Sequence, residues 1–474
     1  MPNTDFAADL QEWLTENWDP DLTVGQWWER LGLSGWSAPS LPRHAYGREL
    51  SRSDSVRVGR TIAEFGALPA PGGLGMLLAA PTIATHGTPQ QIEEFVLPIV
   101  TGQRAWCQLF SEPGAGSDLA GLTSKAILDG EEWIVNGQKV WTSGGQIADM
   151  GMLIARTNPD APKHQGISYF AMNMHQPGVD IRPLKEMTGH ALFNEVFMTD
   201  GRVPASALVG GLHNGWAVAN TTLAFERSGL GAGGAGAVSA ALAGTVVGHL
   251  DKRAGDFVSP SGPVVGGSSA ANAAAVRAGG LKLYLHYARQ NGAINNPTVR
   301  QDLARLYTLG EIGRINNERV KAARAKGEDI AGMANIGKLS MSNIVRLQRD
   351  LGLRIVGPYG TLHAYTDEQR RSLDELTGEP RLAMLTGAAL HAQAPPIYGG
   401  TDQIQRNIIG ERVSASRRSR ATTRKCRSRP CPRTPDPSDS MWEPSSRLGR
   451  YSGSHTGPLT GRPRPGTYSR GPDR

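Results

Sequence analysis

The stretch QLFSEPGAGSD, residues 108–118, is the most specific in the sequence. A proline and two glycines within it force a tight turn directly after a strand pattern. Such a turn exposes successive backbone N–H groups that can line an anionic or carbonyl-rich ligand, and Ser111 and Ser117 add hydroxyl groups beside it. A glycine-rich turn capped by Asp118 would explain a bare GxG pattern, but the length of the string favours a binding site.

A second stretch, IVNGQKVWTSGG at residues 134–145, supplies groups that complement this turn. Trp141 offers a large flat face, while Thr142 and Ser143 offer hydrogen-bond donors. A planar aromatic with hydroxyl groups at the end of one strand, facing a nest of amides on another, suits an isoalloxazine ring. That ring is flat, electron-poor and rimmed with acceptors. The two stretches together therefore indicate a flavin site.

A third stretch, PPIYGGTDQIQRNIIGERV at residues 395–413, couples a two-glycine turn to a helical pattern with isoleucines on one face. Gly399 and Gly400 let the backbone approach a ligand closely, and Thr401 can cap the helix that follows. The pattern predicts that the turn presents main-chain groups to a ligand. The acid or base of any reaction must then come from elsewhere in the chain.

In the first half of the chain the hydrophobic pattern changes once, from helical to alternating. Helical patterns with loop breaks run over residues 5–102 and include a helix start at Thr88, followed by a proline in the first turn. Short alternating segments then run over residues 104–204, with hairpin-type dipeptides at Asp129-Gly130 and Asn136-Gly137. This order predicts a helical domain followed by a small β barrel or sandwich.

Helical patterns return after residue 214 and continue to residue 413. The segment 220–250 is rich in glycine and alanine, which suits a helix packed closely against its neighbours. Residues 259–280 are loop-like and low in complexity. No spacing of His or Cys matches a metal site. The sequence thus predicts an α+β fold with more than one core.

Residues 414–474 differ from the rest in charge and composition. They carry 13 Arg and one Lys against three Asp and one Glu, a net charge of +10, which leaves −3 for the preceding residues. Because this tail has almost no aliphatic residues, we expect it to be disordered. It suits a nucleic-acid or anionic-membrane arm, or a non-native extension such as a translated frameshift, and the composition favours the extension. No nucleic-acid role is predicted for the rest of the chain.

The cysteine count and the N-terminus both point to a reducing compartment. Cys107 is the only cysteine before the tail, so a disulfide framework is not expected there. No apolar run is long enough to span a bilayer, and the stretch MPNTDFAADLQEWLTENW is acidic and amphipathic, which is unlike a signal peptide. We therefore expect a cytoplasmic protein without a membrane span.

The three stretches together resemble the acyl-CoA dehydrogenases. FSEPGAGSDLAG, NGQKVWTSG and IYGGTDQIQRNIIGERV occur in the order and at the separations familiar in that family, over residues 5–413. The resemblance implies a helical N-terminal domain (1–103), a middle antiparallel β-barrel domain (104–205) and a C-terminal four-helix bundle (206–413). The bundle would drive formation of a homo- or heterotetramer.

The resemblance also implies FAD as the cofactor. By motif position, one group of residues meets the flavin ring, and another meets the adenosine half, often across a subunit interface. A third group falls on the acyl-CoA side. The implied FAD residues are Gln108, Phe110, Ser111, Trp141, Thr142, Ser143, Thr401, Gln403 and Gln405, and the implied substrate residues are Ser117, Arg227 and Tyr398.

The commonest members of this family carry a catalytic glutamate where this chain has Gly399. A subset places the base on a helix of the bundle, at a position matched here by Glu226 in LAFERSGL. The reaction removes a proton next to the thioester while hydride leaves the adjacent carbon, so a carboxylate must face the flavin across the substrate. Glu226 is the candidate base, and the Gly399 N–H is the candidate donor to the thioester carbonyl. A structural Glu226–Arg227 pair is the alternative, but a carboxylate in an apolar helix favours catalysis.

The predicted function is α,β-desaturation of an acyl-CoA thioester, of the fatty-acid β-oxidation type, with hydride transfer to FAD. Electrons would pass to an electron-transfer flavoprotein. Because Gly399 leaves room in the pocket, branched or ring-bearing acyl groups are also expected. A non-catalytic partner subunit of a heterotetramer and a flavin oxidase or monooxygenase on the same scaffold are the alternatives. His190, Lys139 and Arg305 are interpreted as surface or internally satisfied residues.

Overall fold

The fold is described from a computed structural model over residues 6–231, 239–258, 269–328, 330, 332–379 and 382–412. All of these residues fall within one compact unit, Met1–Arg429. A second unit, Pro430–Arg474, lies outside the described residues, and so does the whole predicted tail.

Short helices form the N-terminal part of the unit, as the sequence predicts. Their core is rich in tryptophan: the Trp27 and Trp28 side chains are fully buried and donate to backbone carbonyls at 2.7 and 2.9 Å. The predicted helix start at Thr88 is confirmed, since Thr88 and Gln91 exchange side-chain and backbone hydrogen bonds in a capping box. The helices are α1 (Phe6–Asn17), α2 (Val24–Leu33), α3 (Arg52–Phe65), α4 (Ala80–His86), α5 (Pro89–Gln91) and α6 (Leu97–Val100), with π-helical turns at Gly75–Ala79 and Ile92–Val96.

An eight-stranded sheet follows, in the order β6-β7-β3-β2-β4-β5-β8, with β1 beside β4. The predicted β architecture is confirmed, but the sheet is mixed: β1 runs parallel to β4, and a single parallel bridge joins β2 to β4. Among the described residues no pairing joins β6 to β8, so hydrogen bonds do not close a barrel. The strands are β1 (Trp106–Leu109), β2 (Lys125–Asp129), β3 (Glu132–Ser143), β4 (Met150–Arg156), β5 (Ile167–Asn173), β6 (Val179–Leu184), β7 (Phe193–Pro204) and β8 (Leu208–Val209).

The two predicted hairpin dipeptides have different outcomes. Asp129-Gly130 does turn the chain from β2 into β3, with Gly130 at φ 62°. Asn136-Gly137 does not form a turn: it lies inside β3, at a register shift in the pairing with β7. A Cβ at Gly137 would come within 2.2 Å of Ser124 Oγ, so the close approach of the segment around Ser124 requires glycine at this position.

The described chain after residue 214 is mainly helical. Four of its helices, α8, α9, α10 and α12, enclose a core that includes Tyr284, Leu303, Leu351 and Leu385. This arrangement agrees with the predicted four-helix bundle. The helix α8 is kinked at Gly280, where φ is 44° and ψ is −140°. The helices are α7 (Gly215–Gly231), α8 (Ser269–Gln290), α9 (Pro297–Ala325), α10 (Met333–Val356), α11 (Asp367–Thr377), α12 (Leu382–His391) and α13 (Asp402–Arg412).

Two predictions for this region are wrong over the residues described. Of the loop expected over residues 259–280, residues 259–268 lie outside the described residues, and residues 269–280 begin α8, because their many alanines are strong helix formers. Of the helix expected over residues 220–250, residues 220–231 belong to α7 and residues 232–238 lie outside the described residues. Residues 239–250 run as irregular chain over the N-terminal helices and the sheet. Gly244 and Gly248 there have φ of 94° and 70°, values that interrupt a helix. Asp149 fixes this segment by accepting hydrogen bonds from the Thr245 N–H and hydroxyl.

Three further features bear on the sequence predictions. No helix within the described ranges is both long and apolar enough to cross a bilayer. The same ranges contain no cluster of His, Cys, Asp and Glu that could hold a metal ion. Cys107 is a buried free thiol, and burial raises its pKa to about 12.

Candidate active site

The first motif, residues 108–118, begins at the end of β1, and the side-chain amide nitrogen of its Gln108 is buried. Among the described residues, nothing bonds to the buried Gln108 Nε2. Phe110 is buried, and its ring meets that of Tyr169 edge-on at 6.1 Å. The Ser111 carbonyl accepts a hydrogen bond from the Val140 N–H at 2.9 Å, which joins the first motif to the second.

The second motif ends β3 with an irregular backbone. The register with β7 shifts between Lys139 and Thr142, and Trp141 within this bulge has a φ of 62°. Positive φ is strained for a bulky residue, so the bulge holds the indole out at an energetic cost. Trp141 is 61% exposed and meets Phe193 edge-on at 5.8 Å. Thr142 is fully buried, and no described residue bonds to its hydroxyl.

These groups fit the flavin that the sequence predicts. A buried polar atom without a partner costs about 1–3 kcal/mol, and Gln108 Nε2 and Thr142 Oγ1 are two such atoms on neighbouring segments. Both can donate to the acceptors that rim an isoalloxazine ring. The exposed face of Trp141 and the half-buried Ser143 lie on the same strand end.

A buried ion pair between Lys139 and Glu112 joins the two motifs. Lys139 is fully buried, and its Nζ donates to Glu112 Oε1 at 2.8 Å and to the Phe110 carbonyl at 3.1 Å. Glu112 also accepts from the N–H groups of Thr123 and Ser124 at 2.7 and 3.0 Å. Burial alone would raise the pKa of Glu112, but the Lys139 ammonium and these hydrogen bonds outweigh it and lower the pKa to about 2. Lys139 is thus an internally satisfied residue, as predicted.

Helix α7 carries Glu226, and Thr222, one helical turn before it, anchors the helix through hydroxyl contacts. The hydroxyl of Thr222 is fully buried, 3.0 Å from that of Thr82 and 3.4 Å from that of Tyr169. Residues four apart lie on one face of a helix, so half-buried Glu226 continues the face of Thr222 one turn further on. Tyr169 contacts Phe110, and this chain of contacts connects the first motif to the face that carries Glu226.

The two-glycine turn before α13 has left-handed backbone at both glycines, with φ of 61° at Gly399 and 83° at Gly400. Thr401 caps α13 as predicted, since its hydroxyl accepts from the Ile404 N–H at 3.2 Å. Gln405 is buried and turned inward, with Nε2 donating to the Gly399 carbonyl at 2.8 Å. Gln403 is exposed. Helix α10 packs against both α7, which carries Glu226, and α13, which follows this turn.

The remaining predicted residues differ in their exposure to solvent. Ser117 is exposed at the tip of the first motif. Tyr398 is half-buried, with its ring 6.5 Å from that of His391. Arg227 follows Glu226 on α7, but its side chain lies outside what the structure describes. Arg305 is exposed, as expected, while His190 is half-buried.

Sequence reasoning missed the structural residues of the site. Glu112 stands inside a glycine-rich string that draws attention to the turn, although a carboxylate beside an apolar strand needs a cation when it is buried. Asn194 is also buried, and its Nδ2 donates to the Thr142 carbonyl at 2.9 Å, which steadies the bulge at Trp141. No sequence signal marks Asn194, because its partner Thr142 lies on the neighbouring strand β3, 52 residues earlier in the chain.

Comparison with known families gives two domain matches. Residues 107–200 match the acyl-CoA dehydrogenase middle domain, and residues 267–414 match the acyl-CoA dehydrogenase C-terminal domain. Over 426 residues the chain is 32% identical to acyl-CoA dehydrogenase IpdE1 of Mycobacterium tuberculosis, a match that covers 86% of this chain and 96% of the relative.

Two further similarities are partial or more distant. Over 203 residues the chain is 48% identical to acyl-CoA dehydrogenase FadE34 of Mycobacterium tuberculosis, but this match covers 43% of this chain and only 28% of that longer relative. A solved structure described as the Tcur3481-Tcur3483 steroid ACAD superposes with a TM-score of 0.62 at 25% identity. That superposition covers 88% of this chain and 98% of the other.

Proposed function

The chain belongs to the acyl-CoA dehydrogenase family, and we propose that it desaturates an acyl-CoA thioester between its α and β carbons with FAD as the cofactor. One observation carries this proposal. Glu226 follows Thr222 by one turn on the anchored face of α7, and Thr222 contacts Tyr169, which packs on Phe110 of the first motif. These contacts support a carboxylate on the side of α7 that is nearer to the two β motifs and their unpartnered donors.

Glu226 and the Gly399 N–H are proposed to have different roles in the reaction. Glu226 would take the proton from the carbon next to the thioester, because it is the one acid that the motifs assign to the site. The Gly399 N–H would donate to the thioester oxygen and stabilise the enolate charge as it develops. FAD, when bound, would accept the hydrogen and electron pair from the adjacent carbon.

The residues proposed to hold FAD fall into two groups, one at the flavin ring and one at the adenosine half. Trp141 would cover the ring, and the orphaned donors Gln108 Nε2 and Thr142 Oγ1 would bond to its edge. The adenosine half would meet Thr401 and Gln403 beside α13. The ring-side residues are completed by Phe110, Ser111 and Ser143.

We further propose a bulky, ring-bearing acyl group as the substrate. Gly399 contributes no side chain to the pocket, which leaves volume beside the thioester. Ser117, Arg227 and Tyr398 would contact the acyl-CoA. The similarity to a solved structure described as a steroid ACAD supports this substrate class. The tetramer, the electron-transfer flavoprotein as acceptor and the cytoplasmic location are proposed from the family resemblance.

The test is turnover by the purified full chain supplied with FAD. We expect bound flavin, reduction of an acceptor dye on addition of a steroid-ring acyl-CoA, and a product lighter by two hydrogen atoms. A preference for short linear acyl-CoAs would contradict the proposed substrate. Oxygen consumption in place of dye reduction would indicate an oxidase, and failure to retain flavin without a second chain would indicate a partner subunit.

The strained backbone at Trp141 allows its cofactor role to be separated from its effect on the fold. Trp141→Gly and Trp141→Ala both remove the indole, so both are expected to lose FAD on gel filtration. Only glycine accepts a φ of 62° without a Cβ penalty, so the Gly variant should be more stable than the Ala variant by about 1 kcal/mol. Thermal unfolding of the FAD-free proteins measures this difference. Retained flavin in both variants would remove Trp141 from the site.

A further inference from the structure

A stripe of polar side chains on α10 faces the Gly399–Gly400 turn. Asn335, Lys338, Ser342 and Arg346 recur at intervals of three and four residues, which places them on one side of the helix. The first three are at most 8% exposed. Since an unpaired buried polar group costs free energy, such a row indicates specific partners across the packing surface.

Three members of this stripe bind the residues that flank the turn. Arg346 Nη2 lies 2.5 Å from Asp402 Oδ2, and Lys338 Nζ lies 3.8 Å from Asp402 Oδ1. Burial alone would raise the pKa of Asp402, but the donors on α10 outweigh it and lower the pKa. Ser342 Oγ donates to the Pro395 carbonyl at 3.3 Å. The chain is therefore tied to α10 on both sides of the turn.

The turn itself is held by Gln405. Asn335 Nδ2 donates to Gln405 Oε1 at 2.7 Å, which directs Gln405 Nε2 away from α10. That Nε2 donates to the carbonyls of Gly399 at 2.8 Å and of Gly400 at 3.3 Å. Adjacent glycines would otherwise sample both signs of φ, so this amide selects one backbone conformation. A Cβ at Gly400 would lie 2.7 Å from Gln405 Nε2, which shows how closely the amide approaches.

We propose that Gln405, oriented by Asn335, is a positioning residue that aims the Gly399 N–H at the thioester carbonyl. This inference rests on the proposed role of Gly399. Among the described residues none accepts a hydrogen bond from the Gly399 N–H, as its proposed role requires. A donor held in place before the substrate arrives needs no reorganisation as the enolate forms. Gln405 would thus act through the turn, in place of the FAD contact that the family resemblance implies.

The test compares two CoA ligands that differ at the carbonyl. A 2-enoyl-CoA presents the thioester oxygen, and the matching thioether, with a methylene in its place, does not. We expect the wild-type protein to bind the thioester about tenfold more tightly in calorimetry, as one hydrogen bond allows. Gln405→Met keeps the side-chain length but removes the amide. This variant should lose most of the tenfold preference while binding the thioether as before, and its kcat should fall by more than its KM changes.

A second variant leaves the side chain of Gln405 intact. In Asn335→Asp the carboxylate cannot donate to Oε1, so the Gln405 amide should flip and present its oxygen to the two glycine carbonyls. The preference should fall again, even if Gln405→Met fails to fold. Gln393→Met makes the same chemical change at an exposed side chain 3.2 Å from Arg349 Nη1 and should keep the preference.

Each outcome bears on a different step. An unchanged preference in both Gln405→Met and Asn335→Asp would overturn the inference. Loss of bound FAD with the preference intact would assign Gln405 to the cofactor and would also overturn it. No preference in the wild-type protein would instead remove Gly399 as the donor, and the inference with it, while leaving dehydrogenation itself to be judged by turnover.

Discussion

Glu226→Gln is expected to lower kcat for acyl-CoA oxidation by about 10²–10⁴-fold, the range usual for loss of a general base. The substitution keeps the side chain's size and leaves the packing of α7 through Thr222 in place, so FAD retention and acyl-CoA affinity should change little. Proton removal also has its own readout: in D₂O, the wild-type protein should exchange the α-hydrogen of a bound acyl-CoA that cannot be oxidised. The Gln variant should not.

Two controls make this result specific to the carboxylate at position 226. Glu226→Asp keeps the charge but shortens its reach, so it should retain part of the activity. Glu318→Gln makes the same change as Glu226→Gln on α9, at a side chain that is 61% exposed and pairs with Arg314, and it should turn over normally. Full dye reduction by Glu226→Gln at the wild-type rate would take Glu226 out of the mechanism.

The local parts of the fold were predictable because their causes lie within a few residues. The capping box at Thr88, the cap at Thr401 and the turn at Gly130 each depend on chain neighbours, and the structure confirms all three. The order of helical, β and helical regions followed from hydrophobic periodicity in the same way.

The errors arose where a distant contact decides the local conformation. Gly137 resembles a hairpin residue, but Ser124 lies against it and β3 continues through the glycine. Residues 239–250 have the composition of a packed helix, yet Asp149 and the N-terminal helices hold them as irregular chain. For the site, the motif position of Gln405 predicts a cofactor contact, and the sequence gives no sign of the hydrogen bonds that Asn335 and the Gly399 carbonyl make with its amide. Such partners come from remote segments, so sequence patterns cannot reveal them.

Glu112→Gln is expected to destabilise the fold by about 3–5 kcal/mol, because it leaves the buried Lys139 ammonium without its counter-ion. Glu132→Gln is the matched control: it breaks an ion pair with Arg202 of similar length, 2.7 Å, also at β3, but with both side chains about half exposed. That change should alter stability by less than about 1 kcal/mol. Denaturant unfolding of FAD-free protein measures both effects.

The pH dependence gives this prediction a second, independent test. The pKa of Glu112 is about 2 in the folded protein against an ordinary 4.5, so its contribution to stability is complete above pH 4.5 and is lost as the pH falls toward 2. Glu112→Gln should remove this loss of stability between pH 4.5 and about 2, while Glu132→Gln should leave it in place. The double variant Glu112→Gln/Lys139→Met should be more stable than Glu112→Gln alone, since removing the ammonium also removes the uncompensated charge. Equal stability of Glu112→Gln and wild type across this pH range would mean that the pair does not hold the two motifs together.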